Sequence, residues 1–134
     1  LRSWYRYRQR KALTGSEKST ADVTFEEFVI EYLSEDRRTF AEIGNQHRFC
    51  TDEQGQMLIK YLFSFDDLSH FEAFIESRLG VQECLPNLNA SRPSELGLSR
   101  QTIARLELSN APEFELYEST AASGWKEFET SNSV

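Results

Sequence analysis

The fold class is indicated by residues 58–65, which read LIKYLFSF. The run is apolar almost throughout, and Lys60 is its single charged residue. A strand covered by helices on both faces has this character, whereas a strand with one face in water alternates apolar and polar residues. We therefore expect one buried strand here, in a protein of the α/β class.

Helix signals lie on both sides of this strand. The patterns Thr-x-x-Glu at residues 24–27 and Ser-x-x-Glu at residues 69–72 are capping boxes, which mark helix starts. Gly80 is placed to end the second of these helices, and Ser99 to cap a later one. Pro112 suits the first turn of the last helix. The segment is thus mostly helical, with two helices before the strand and further helices after it.

A lone strand leaves backbone groups unpaired along both edges. No second run has equal strand character, so we expect the partner strands to come from outside this sequence. Residues 1–5 (LRSWY) have the character of the interior of an element, and we expect further sequence upstream of them. We expect residues 1–122 to form the C-terminal part of a larger domain and residues 123–134 to be a flexible tail.

Composition excludes several classes of protein. The 134 residues are 39% hydrophobic and 13% aromatic, which is enough apolar material for a folded core. The longest apolar run, at residues 57–65, is far short of the ~20 residues that span a bilayer. A net charge of −7 argues against a general nucleic-acid-binding surface. Cys50 and Cys84 lack metal-ligand spacing, so we expect reduced thiols rather than a disulfide, and no metal site.

Positive charge is concentrated at the N-terminus. Residues 1–11 carry five cationic side chains and no acid, which gives this segment a charge of +5. Because the net charge of the whole chain is −7, the other residues together carry −12. This basic strip has two interpretations: a solvated helix face, which charge alone favours, or a site for a small anionic ligand. Its members are Arg2, Arg6, Arg8, Arg10 and Lys11.

Several segments, in their order along the chain, resemble the carbohydrate-type sulfotransferases, including bacterial relatives. Residues 3–7 (SWYRY) are similar to the end of the family's 3′-phosphate motif, where an Arg-Asp-Pro strand end leads to a helix with a serine and aromatics. Residues 45–50 (NQHRFC) resemble a polar loop with a histidine, and residues 61–68 (YLFSFDDL) resemble a strand that ends in an aromatic, an acid and a leucine. Residues 85–91 (LPNLNAS) and 111–117 (APEFELY) resemble the closing loop and the last helix.

This resemblance implies an enzyme that moves a sulfuryl group from 3′-phosphoadenosine 5′-phosphosulfate (PAPS) to a hydroxyl of a carbohydrate or small-molecule acceptor. It also implies a P-loop-type parallel-sheet fold, of which this chain supplies the C-terminal part. In the family the loop that holds the 5′-phosphosulfate, and the arginine of the 3′-phosphate motif, precede the matching residues, so we expect this segment alone to be inactive. Arg48 and Phe49 replace the family's Pro-Gln after the loop histidine.

The resemblance also assigns candidate site residues. Ser3 would donate its hydroxyl to the 3′-phosphate of the cofactor. Arg92, with Asn89 and Ser91, would lie in the loop that closes over the nucleotide, where a guanidinium can pair with phosphate oxygens. His47 is the candidate for a substrate-side or proton-transfer role, because a neutral imidazole accepts a proton near neutral pH. The structural alternatives are a serine in an ordinary first turn, a loop defined by prolines, and a loop-anchoring histidine.

Two other functions fit the same residues. The aromatic stripes suit a non-catalytic helical interaction module that docks a protein partner. A small nucleotide-binding subunit completed by another chain is the third interpretation. We expect a cytoplasmic location if the protein is bacterial.

Overall fold

The computed structural model describes residues 1–82, 85 and 96–129. Within them the chain forms six α-helices, two 3₁₀ turns and a two-stranded sheet, so it is mainly helical with a small β component. The helices are α1 (Arg2–Arg8), α2 (Phe25–Tyr32), α3 (Gln46–Cys50), α4 (Ser69–Leu79), α5 (Arg100–Ser109) and α6 (Ala111–Ser123). The strands are β1 (Tyr61–Phe63) and β2 (Trp125–Glu127), and the 3₁₀ turns are Lys11–Leu13 and Thr39–Ala41.

The chain divides into two compact units. The first unit comprises Leu1–Gly44 and Ala90–Ala111, and the second comprises Asn45–Asn89 and Pro112–Val134. Helices α1, α2 and α5 lie in the first unit, whereas α3, α4, nearly all of α6 and both strands lie in the second. Each unit joins segments that are distant in sequence, so both depend on long-range packing.

The core of the first unit is aromatic. Phe28 and Val29 of α2 are fully buried. The rings of Tyr5 and Phe40 pack on the Phe28 ring, with centroid distances of 5.6 and 6.5 Å. The inward residues of α2 are Phe25, Phe28, Val29 and Tyr32, whose spacing is that of one apolar stripe along a helix.

The capping box at the start of α2 forms as predicted. The Glu27 amide donates to Thr24 Oγ1 at 3.2 Å, and the Thr24 amide donates to Glu27 Oε2 at 2.8 Å. Ser99 likewise caps α5, and Gly80 ends α4 in the left-handed conformation with φ of 65°. Pro112 lies in the first turn of α6, where its missing amide proton costs nothing.

The capping box predicted at residues 69–72 does not form. α4 has no side-chain cap from its preceding residue, and the Ser69 amide donates to Asp67 Oδ1 at 3.0 Å instead. The Glu72 carboxylate accepts from the Leu85 amide at 2.8 Å, so it is used by the following loop. A sequence pattern of this kind shows which groups could pair, but nearby competing acceptors decide which ones do.

The prediction of a strand buried on both faces is wrong, because the strand that forms is short and only half-buried. Only Tyr61–Phe63 are in β1, and all three are half-buried. The ring of Phe63 packs on Phe71 and Phe74 of α4, at centroid distances of 5.3 and 5.2 Å. Leu58 and Phe65, at the two ends of the apolar run, are 62% and 85% exposed. The run is longer than the strand because its end residues lie beyond the paired segment.

The prediction that the partner strands come from outside this sequence is wrong for one edge of β1, which pairs with β2 of the same chain. β1 and β2 are antiparallel, with Tyr61 opposite Glu127 and Phe63 opposite Trp125. The Phe63 and Trp125 rings stack at 6.0 Å, a cross-strand contact that favours pairing. Trp125–Glu127 thus form a strand within the segment, residues 123–134, that was expected to be a flexible tail. Residues 130–134 lie outside the described residues.

The buried aromatic core of the first unit should dominate its stability. We expect Phe28→Ala to lower the free energy of unfolding by about 3–5 kcal/mol, because it removes a fully buried ring and leaves a cavity. Urea denaturation measures this loss. Phe49→Ala is the control, since Phe49 is 86% exposed and its loss should cost under about 0.5 kcal/mol. Equal costs for the two substitutions would contradict this account of the core.

Candidate functional site

Helix α1, which carries Ser3, is held to the first unit by its inner side. The Tyr5 hydroxyl donates to the Val23 carbonyl at 2.7 Å, and Thr20 Oγ1 donates to the Tyr5 carbonyl at 2.8 Å. Thr20 is fully buried and Tyr5 nearly so, so these bonds are shielded from water. The helix is thus fixed near its middle.

The basic strip is not one solvated helix face, because Arg8 is buried. Its side chain is 7% exposed. Nη1 donates to the Thr39 carbonyl at 2.5 Å, and Nη2 donates to the Glu42 carbonyl at 2.9 Å. Burial lowers the pKa of Arg8, and the Glu42 carboxylate partly opposes that shift. A guanidinium remains charged well above neutral pH, so a full cation is held inside the first unit.

The outer face of α1, formed by Ser3, Arg6 and Tyr7, points away from this inner side. Residues three and four apart are neighbours on a helix surface, so Arg6 and Tyr7 flank Ser3. Ser3 is exposed, and Trp4 and Tyr7 are 45% and 46% exposed with their rings edge to face at 5.8 Å. An accessible hydroxyl beside a guanidinium and aromatic rings can bind a phosphate or sulfate group.

Further cationic groups lie around this face. The guanidinium of Arg10 stacks on the Tyr7 ring at 4.6 Å. Arg2 Nη2 lies 3.5 Å from the Leu96 carbonyl, and both Arg2 and Lys11 are exposed. Of the five cations of the strip, Arg2, Arg10 and Lys11 are thus exposed, Arg6 is half-buried and Arg8 is buried.

His47 lies in the second unit and is not in an irregular loop as predicted. It belongs to α3, which is capped by Asn45 Oδ1 accepting from the Arg48 amide at 3.0 Å. The His47 carbonyl accepts from Thr51 Oγ1 at 2.9 Å, and its imidazole is half-exposed. This short polar helix could not be predicted from the sequence, because five residues are too few to show a 3.6-residue period.

The other predicted site residues cannot be placed. Asn89, Ser91 and Arg92 lie outside the described residues, so their role in a closing loop stays a prediction. Among residues 1–82, 85 and 96–129, no group of three or more His, Cys, Asp or Glu side chains is arranged to hold a metal ion. No helix within the same residues is both long and apolar enough to cross a membrane.

One polar cluster in the first unit was missed by the sequence reasoning. The Glu26 carboxylate accepts from the Ser99 amide at 2.8 Å, from Ser99 Oγ at 2.7 Å and from the Thr102 hydroxyl. The hydrogen bond from Thr102 and those from Ser99 lower the pKa of Glu26. The residues are 73 and 76 positions apart in sequence, so no local signal predicts the contact. The cluster ties α2 to the start of α5.

Two acids in the second unit have structural roles. The sequence suggests strand-end and helix-start chemistry for Asp66 and Asp67, and Asp67 does pair with the first amide of α4. Asp66 Oδ2 accepts from the Tyr117 hydroxyl at 2.5 Å, which raises the pKa of Tyr117. This bond joins the end of the strand to α6.

Cys50 is a free, buried thiol of the second unit. Burial raises its pKa, and the negative charge of Glu113 raises it further. Both effects disfavour the thiolate, which is the reactive form of cysteine. Burial and charge thus disfavour Cys50 as a nucleophile, and Cys84 lies outside the described residues.

The site must be interpreted from its own residues. No protein-family model, curated protein or solved structure matches this chain. What the geometry provides is a hydroxyl displayed on a fixed helix, with cationic and aromatic side chains around it.

The Glu26 cluster should make the first unit sensitive to acid. Because the folded-state pKa of Glu26 is lowered, its contribution to stability is present above the unfolded pKa, ~4.3, and is lost as the pH falls through the folded value. We expect the stability difference between the wild type and Glu26→Gln, measured by urea denaturation, to shrink from about pH 5 downward. The exposed Glu17→Gln is the control and should show little difference at any pH. A Glu26→Gln difference that stays constant to pH 2.5 would contradict the assignment.

The buried thiol should react slowly. In a Cys84→Ser variant, where Cys50 is the remaining one of the two cysteines, we expect its reaction with a disulfide reagent at pH 8 to be about tenfold or more slower in the folded protein than in urea. The physical reason is restricted access combined with a raised pKa. Absorbance of the released thiolate follows the rate. Similar rates in the two conditions would mean that Cys50 is accessible.

Proposed function

We propose that this chain is the C-terminal part of a PAPS-dependent sulfotransferase that acts on a hydroxyl of a carbohydrate or small-molecule acceptor. The resemblance of residues 3–7 to a 3′-phosphate motif supports the proposal. The observation that carries it is the display of Ser3 on the outer face of α1, while Tyr5 and Arg8 fix the opposite side. A hydroxyl that binds a phosphate needs both access and a fixed position.

In this proposal the outer face of α1 binds and orients the cofactor. Ser3 Oγ donates to an oxygen of the 3′-phosphate, and the surrounding cations offset its charge. Sulfuryl transfer resembles phosphoryl transfer, because negative charge moves onto the bridging oxygen of the leaving nucleotide. The 3′-phosphate lies on the other side of the ribose from the reacting sulfur, so α1 contributes positioning and not bond breaking.

Other residues are the candidates for closing the site over the nucleotide and for proton transfer. Arg92, Asn89 and Ser91 stay the candidates for a loop that closes over the nucleotide. His47 stays the candidate to accept the proton of the acceptor hydroxyl, which must leave as the new S–O bond forms. By the resemblance, the loop for the 5′-phosphosulfate belongs to the sequence before residue 3.

Within the described residues β1 pairs with β2 alone, so a parallel sheet of the P-loop type could extend from the other edge of β1. β1 is bonded to β2 through Leu62 and through flanking bonds at Lys60 and Ser64. Backbone groups alternate in direction along a strand, so those of Tyr61 and Phe63 point away from β2. They offer two donors and two acceptors to a further strand.

The alternative of an interaction module is less well supported. It relies on aromatic stripes that are free to dock a partner, but Phe25 and Phe28 of α2 are buried. Phe71 and Phe74 of α4 pack against Phe63 of β1. These stripes are occupied within the chain.

Titration of 3′-phosphoadenosine 5′-phosphate (PAP), the product nucleotide, tests the proposal. We expect the full-length encoded protein to bind PAP with micromolar affinity, and Ser3→Ala to weaken binding by about 10- to 100-fold. That factor corresponds to the loss of a hydrogen bond to a charged group, on the order of 1.5–3 kcal/mol. Isothermal titration calorimetry measures both affinities.

Ser77→Ala is the matched control for this titration. Ser77 is an exposed helical serine whose hydroxyl donates to the Phe74 carbonyl, and it lies in the second unit. Its substitution should leave PAP affinity unchanged. Absence of PAP binding by the wild type would overturn the sulfotransferase proposal, and equal affinity of wild type and Ser3→Ala would remove Ser3 from the site.

A further inference from the structure

Arg8 is buried where an apolar residue would be expected. It follows Tyr5 by three residues, so both lie on the inner side of α1, against the aromatic core. A buried cation is costly unless its donors are paired, and a residue such as Leu or Met would fill the space without that cost. The two carbonyl acceptors of Thr39 and Glu42 make the burial tolerable, but they do not explain why a charge is there.

We propose that Arg8 is a positioning residue, whose guanidinium sets the orientation of α1 and thereby the place of the Ser3 hydroxyl at the nucleotide 3′-phosphate. This inference rests on the proposed function. In this proposal Arg8 does not bind the ligand itself, because its guanidinium donates to the carbonyls of Thr39 and Glu42 and lies 5.6 Å from the centroid of the Trp4 ring. It acts through the helix that carries Ser3.

The geometry of the two hydrogen bonds carries the argument. Two nitrogens of one planar group donate to the carbonyls of residues 39 and 42, which lie at the start and just after the end of the second 3₁₀ turn. A planar fork with two acceptors fixes direction as well as distance. A lysine ammonium has no such fixed fork, so it can hold a distance without holding an orientation.

Arg8 and Tyr5 together hold α1 at two points. Thr20 donates to the carbonyls of both Tyr5 and Arg8, which holds one side of the helix. The Arg8 guanidinium adds an attachment to a different segment, residues 39–42, and this second attachment limits rotation of the helix about the side that Thr20 holds. Ser3 lies five residues before Arg8, which is about 7.5 Å along the helix axis. A change of tilt or rotation at Arg8 would therefore displace the Ser3 hydroxyl while leaving the middle of the helix packed on Phe28.

The test compares two nucleotides that differ only in the 3′-phosphate. The full-length encoded protein is titrated with PAP and with adenosine 5′-phosphate, in the wild type, Arg8→Lys and Arg8→Met. We expect the preference for PAP to fall by about tenfold or more in both variants, because a displaced hydroxyl loses most of its contact. Affinity for adenosine 5′-phosphate should change by less than about threefold. Partial unfolding would lower the affinities for both nucleotides equally and leave their ratio unchanged. A fall in the ratio of the two affinities therefore reports a displaced Ser3 hydroxyl and not a loss of folded protein.

Lys18→Met is the control for lost charge. Lys18 is exposed in the first unit, and its substitution should leave the ratio unchanged. A wild type that binds PAP no better than adenosine 5′-phosphate would overturn the proposed function itself. A wild type that prefers PAP, with the same preference in both Arg8 variants, would overturn the role of Arg8 alone. If Arg8→Lys, which keeps the charge and most of the volume, fails to fold, Arg8 is a stability residue and the inference is wrong.

Discussion

The side chain of Phe28 has no exposure to water, and the elements of the first unit are arranged around it. Tyr5 of α1 and Phe25 and Phe40 contact its ring within 6.5 Å between centroids. Arg8 lies on the side of α1 that covers this core, and its buried guanidinium needs hydrogen-bond acceptors. The carbonyls of residues 39 and 42 supply them. Ser3, on the other side of α1, is exposed.

Features set by residues within one helical turn of each other could be predicted from the sequence. The capping box of α2, the Ser99 cap and the left-handed end of α4 at Gly80 all depend on groups less than five residues apart. The buried stripe of α2 follows from its spacing in the same way. Local signals fail where two acceptors compete, as at Ser69, whose amide takes Asp67 and not Glu72 as its partner.

Features that depend on distant residues could not be predicted. β2 finds its partner across more than 60 residues, and the Glu26 contact to Thr102 spans 76. For the candidate site the sequence pointed to Ser3, whose role stays a prediction, and to the basic strip, but it could not separate the buried Arg8 from the other cations of the strip. The acceptors that bury it are 31 and 34 residues away.

A crystal structure of the full-length encoded protein with PAP bound tests the central claim most directly. The account predicts an oxygen of the 3′-phosphate at about 2.5–3.0 Å from Ser3 Oγ, with the Arg8 guanidinium still on the carbonyls of Thr39 and Glu42. Nucleotide bound elsewhere, with the Ser3 hydroxyl in water, would contradict the assignment of the site. Arg8 turned outward onto the phosphate would contradict the view that it acts through the position of α1.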